Sequence, residues 1–131
     1  MNRNTLLTIA SLLTLLLLSF HLADDIVRGF ETGGLANLIA VPLFVIWLYG
    51  TLVLAGRRSG YIITLLFSLL GMFVPIVHMK GRGVGLNSSI AHTSGAFFFV
   101  WTLIAIGMTA LFSFILAVHG LWNLRRNQPR S

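Results

Sequence analysis

Charged residues divide this chain into four long apolar stretches. They run over residues 4–23, 32–56, 59–79 and 83–124, and the boundaries are Arg3, Asp24, Glu31, Arg57, Arg58, Lys80, Arg82 and Arg125. About 20 apolar residues carry a helix across the hydrocarbon core of a bilayer. Each of the first three stretches fits one crossing. The fourth is longer, but its first third holds Gly83, Gly85, Asn87, Ser88, Ser89, His92, Thr93 and Ser94. Such residues belong to loops and helix starts. The pattern therefore predicts helices at about 5–23, 35–56, 60–79 and 93–122. No water inside a bilayer satisfies a free backbone, so helix is the expected form of each span. Short connections point to an up-down bundle with one core, a single polytopic membrane domain over 1–131.

Composition agrees with this reading. Of 131 residues, 56% are hydrophobic and 9% charged, against roughly 25% charged in soluble domains. So few charges do not solvate a soluble globule of this size. The class is an all-α membrane protein, and a soluble enzyme or disordered tail is excluded. There is no cysteine, which removes disulfides and thiolate metal sites.

The basic residues orient the chain. With the N-terminus inside, Arg3, Arg57, Arg58, Arg125, Arg126 and Arg130 are cytoplasmic, and Arg28, Lys80 and Arg82 lie outside. This satisfies the positive-inside rule with both termini cytoplasmic. All three acids, Asp24, Asp25 and Glu31, fall outside. The net charge of +6 is then mostly a cytoplasmic rim facing anionic lipid. No nucleic-acid partner is implied. A multi-pass protein of the bacterial inner membrane is expected. A signal peptide over 1–23 is the alternative for the first segment. Against it, an A-x-A cleavage pattern ending at Ala23 meets His21 in place of a small residue.

Two features concern packing. Ala105, Thr109, Ser113 and Ala117 form an i+4 ridge of small residues on the fourth helix. Such ridges let helices approach closely in lipid. Packing within the bundle is the expected use, and a seam for a homodimer or partner subunit is the sharper one. Phe97, Phe98, Phe99 and Trp101 at one end, with Trp122 at the other, suit interfacial belts. Pro42 and Pro75 fall inside the second and third predicted helices, where proline removes a hydrogen bond and kinks the chain. Kinks at similar depth would splay the bundle toward the outside.

Candidate chemistry is sparse. His21 ends the first helix, His78 ends the third and His92 begins the fourth, all on the outer face. His119 stands alone at the inner end and is left out of the site. If the first helix continues past the lipid, His21 meets Asp24 at i+3 and Asp25 at i+4, and Arg28 follows the aspartates at the same spacings. One aspartate then holds Arg28 while the other orients His21, and Gly29 closes the helix. Imidazole with carboxylate suits zinc, non-haem iron, copper or nickel. The candidate ligands are His21, Asp24, Asp25, His78 and His92. The opposing reading is that these groups lie at the interface and only tie the outer loops together. Haem b is a further candidate, with His21 and His92 at similar depth. Residues 89–95, Ser-Ile-Ala-His-Thr-Ser-Gly, resemble the motif that opens the first helix of the cytochrome b subunit of succinate dehydrogenase, which implies a haem-ligating His92. In that family an arginine follows the histidine, whereas here Thr93 does, and on the last helix. The loop Lys80-Gly81-Arg82-Gly83-Val84-Gly85 has backbone amides and cations suited to an anion. With Arg28, its cations Lys80 and Arg82 are candidates for an anion or lipid headgroup.

No catalytic residue is indicated. The expected role is an accessory or scaffold protein, or a subunit of a membrane complex. A metal- or haem-binding protein with a His/Asp site at the outer face, of redox or hydrolytic activity, is the alternative. A dimeric transporter ranks last: four-helix multidrug transporters use a glutamate in the first helix, and no acid precedes Asp24. No fluoride-channel motif is found either.

Overall fold

The computed structural model describes residues 2–80 and 95–126, which contain helices and no strand. The elements are α1 (Arg3–Val27), a 3₁₀ turn (Leu35–Ile39), α2 (Ala40–Leu52), α3 (Arg58–Lys80) and α4 (Ala96–Arg126). The four helical segments are long and apolar enough to cross a membrane. α4 packs chiefly on α3 and α1, and α2 packs on α3 and more lightly on α1. Neighbours therefore run α1–α4–α3–α2 around the bundle, an order that hydropathy alone leaves open. Consecutive helices are antiparallel. The C-terminal ends of α1 and α3 meet the start of α4 at the "histidine end". The start of α1 meets the end of α4 at the "arginine end".

α1 is one turn longer at its C-terminus than the apolar stretch predicts. Asn2 caps its start, with its Oδ1 accepting from the Asn4 amide at 3.2 Å. Its end is a Schellman motif: the Phe30 amide donates to the Asp25 carbonyl (2.9 Å) and the Gly29 amide to the Ile26 carbonyl (3.0 Å). Gly29 adopts φ +77, a left-handed conformation that favours glycine. The helical register of His21 through Arg28 depends on this closure.

The second predicted helix is shorter than expected, because 35–39 is 3₁₀ and the α-helix ends at Leu52. Pro42 is thus in the first turn of α2, not its interior. There the missing N–H costs nothing, because first-turn amides have no intrahelical acceptor. Pro75 does lie inside α3. Its ring sits against Gly107 of α4, where a Cβ would lie 3.2 Å from Pro75 Cγ. α4 starts at Ala96 and runs to Arg126, four residues beyond the predicted end.

Hydroxyls stitch the interior. Ser11 and Thr51 are hydrogen-bonded at 2.8 Å, and Trp47 Nε1 donates to Ser11 Oγ at 2.7 Å. The buried indole stacks on Phe67. These hydrogen bonds tie α1 to α2 through side chains that are themselves buried. The buried face of α4 is Phe99, Thr102, Leu103, Ile106, Ala110, Ser113 and Ala117. Of the small-residue ridge, Ser113 and Ala117 are therefore inside the bundle, and Ala105 and Thr109 are half-buried.

Candidate metal centre

At the histidine end the longer α1 turns His21, Asp24, Asp25 and Arg28 into two interleaved i,i+4 pairs. Arg28 Nε donates to Asp24 Oδ2 at 2.7 Å. His21 Nε2 lies 3.5 Å from Asp25 Oδ2. The sequence left open which aspartate serves which partner, and the helical register decides it. Arg28 also donates to the Gly95 carbonyl at 3.0 Å, clasping the residue before α4. Its guanidinium lies over the Phe99 ring, 5.9 Å from the centroid.

α3 brings the third member. His78 Nε2 is 3.5 Å from the same Asp25 Oδ2. The His21 and His78 rings meet edge to face with centroids 4.6 Å apart. His21, Asp25 and His78 each offer one ligand atom, all within 4.8 Å of one another. His21 is 3% exposed and Asp25 6%; His78 is half-buried. Phe99 of α4, 2% exposed, closes the pocket against both imidazoles.

Hydrogen bonding sets the electronic state of His78. Its Nδ1 lies 2.8 Å from the Val74 carbonyl oxygen. A carbonyl only accepts, so Nδ1 carries the proton and donates. In the neutral ring Nε2 then presents a lone pair toward Asp25 Oδ2. A lone pair facing a carboxylate is repulsive unless a cation or a proton lies between them. The same arrangement, with one ring nitrogen donating to a backbone carbonyl and the other free, orients metal-ligating histidines. On the remaining partners, His21 Nδ1, His21 Nε2 and Asp25 Oδ1 are buried without a hydrogen bond. A buried polar atom without a hydrogen bond costs about 1–3 kcal/mol, and one ion held by His21 and Asp25 would partner one ring nitrogen of His21 and the carboxylate.

The other expected site residues separate. Asp24 is committed to Arg28. Lys80 is the last residue of α3. Arg82, His92 and the glycine loop lie outside the described residues, as does the stretch resembling the cytochrome b motif. The haem candidate pairs His21 with His92, so it too falls outside the described residues. His119 is at the opposite end, accepting from Arg3 Nη1 at 2.9 Å. Phe99 departs from the interfacial belt that the sequence predicts for Phe97, Phe98, Phe99 and Trp101: the other three are exposed, while Phe99 faces inward. Its i+3, i+4 and i+7 relation to Thr102, Leu103 and Ile106 is the periodic signal that distinguishes it.

Comparison with protein-family models, curated proteins and solved structures finds no match to this chain.

Proposed function

We propose that this chain is a multi-pass protein of the cytoplasmic membrane that binds one divalent transition-metal ion through His21, Asp25 and His78 near the extracytoplasmic face. The observation that carries the reading is the buried Asp25 carboxylate facing two imidazoles, one with its tautomer set by Val74. A tetrahedral ion with bonds of about 2.0–2.1 Å holds its ligands about 3.3–3.4 Å apart. The two 3.5 Å edges are already close to that spacing. Two histidines and one carboxylate suit zinc or iron(II). Three protein ligands leave positions for water, the form of a site that does Lewis-acid chemistry rather than one that only cross-links. Orientation rests on the arginine-rich end facing the cytoplasm.

The test is metal content of the detergent-purified chain by mass spectrometry, after reconstitution with zinc and, anaerobically, with iron(II). About one equivalent is expected, lost in His21→Ala and His78→Ala and kept in His119→Ala. A metal-free protein, or metal unaltered by the first two substitutions, would overturn the assignment and return the chain to the accessory reading. The cysteine-free sequence also makes topology simple to test. Thr32→Cys should react with an impermeant maleimide from outside intact cells, and Ser59→Cys should not.

A further inference from the structure

At the arginine end a cleft of about 510 Å³ opens between α3 and α4. Its lining has a mirrored pattern. On α3, Arg58, Ile62 and Leu65 follow at i, i+4 and i+7. On antiparallel α4, Arg125, Leu121 and Val118 follow at the same intervals in the opposite chain direction. Each wall thus presents an arginine at the helix end and two apolar side chains over the next two turns, a depth of about 10 Å. Trp122, 60% exposed, stands on the rim. Both arginines are exposed. The acidic side chains of the protein, Asp24, Asp25 and Glu31, all belong to the far end of the bundle. No described side chain at this end carries the negative charge to match them.

A cationic mouth above an apolar trough fits an amphiphile with an anionic head and hydrocarbon tails. A free phosphate would leave the trough uncovered, and a neutral lipid would leave the arginines unmatched. We propose that this cleft binds one anionic phospholipid. Its phosphate sits between Arg58 and Arg125, and an acyl chain lies along Ile62, Leu65, Leu121 and Val118. Bidentate arginine–phosphate pairing supplies the head contact. The cytoplasmic leaflet, which the positive-inside rule assigns to this end, is the one enriched in such lipids. The proposal rests on membrane insertion but not on the metal.

Native mass spectrometry of the detergent-purified protein, titrated with phosphatidylglycerol and separately with phosphatidylcholine, tests it. One phosphatidylglycerol should be retained in preference, by about fivefold for each arginine engaged. Arg58→Gln with Arg125→Gln should abolish the preference. Arg57→Gln with Arg126→Gln removes the same charge from beside the cleft and should preserve it. Val118→Trp, which fills the trough at an exposed position, should displace the lipid with both arginines present. Equal retention of the two lipids, or equal loss in the two double variants, would overturn the proposal and leave only diffuse surface charge. A chain recovered from the aqueous fraction would overturn this proposal and the membrane reading together. A chain that inserts and holds its metal but shows no preference would overturn this proposal alone.

Discussion

At the histidine end, Asp24 holds Arg28 at 2.7 Å and Asp25 faces two imidazoles at 3.5 Å, largely out of solvent. At the arginine end, Arg57, Arg58, Arg125 and Arg126 point outward beside an apolar cleft, far from any acidic side chain. The difference follows from what each group tolerates. A short carboxylate fixed two residues before a helix end cannot reach water once α3 and α4 close over it, so it needs partners within the protein. An arginine on a long apolar stem can keep its head in the polar layer while its stem covers hydrocarbon. One end is therefore organised by internal pairing. The other keeps its arginine heads exposed at the surface.

Substitutions can break this contrast. Phe99→Ala removes the buried ring shared by His21, His78 and Arg28. It should lower stability by about 3 kcal/mol or more, read by SDS-titrated unfolding, and metal retention should fall with it. A stable, metal-replete variant would show that the pocket does not need its aromatic wall. Asp25→Asn keeps the shape but removes the anionic ligand. Zinc affinity should drop by more than the about 100-fold typical of losing an outer-shell partner, measured by competition with a chromogenic chelator. Asp24→Asn, one residue away, should leave zinc affinity within about tenfold, since Asp24 serves Arg28. If the two asparagine variants behave alike, the division of labour between the aspartates is wrong. Gly29→Ala strains the left-handed end of α1 and should cost about 1 kcal/mol. Its diagnostic sign is a loss of zinc affinity without any change at the arginine end. The smallest effect is expected for His119→Ala. Its exposed contact with Arg3 should contribute less than about 0.5 kcal/mol, and metal content should not move. A large effect there would erase the contrast between the ends.

Much of the histidine end could be read along the chain. His21, Asp25 and Arg28 are neighbours through helical spacing alone, and Gly29 announces where that helix stops. Local rules suffice because all these residues share one helix and its cap. His78 is different: 53 residues separate it from Asp25, and no local pattern says that α3 ends beside α1. Phe99 is hidden in the sequence for a related reason. Its neighbours form an aromatic run suited to a membrane interface, and only the packing of α4 against α1 and α3 selects the one ring that turns inward. Pro42 shows the converse error. A continuous apolar stretch suggested one uninterrupted helix, but the conversion of 35–39 to 3₁₀ moved the proline into a first turn that accommodates it.

The sequence alone determined the helical class, the number of apolar segments, the sorting of acids to one end and most arginines to the other, and the i,i+4 pairing around His21. These are properties of composition and of a 3.6-residue period, and they need no knowledge of neighbours. Tertiary structure decided the order α1–α4–α3–α2, the approach of His78 to Asp25, the inward turn of Phe99 and the cleft between Arg58 and Arg125. Each depends on which helix faces run together. Hydropathy does not encode that choice, because it gives the apolar faces of a helix nearly equal weight; packing shape and a few polar contacts make it.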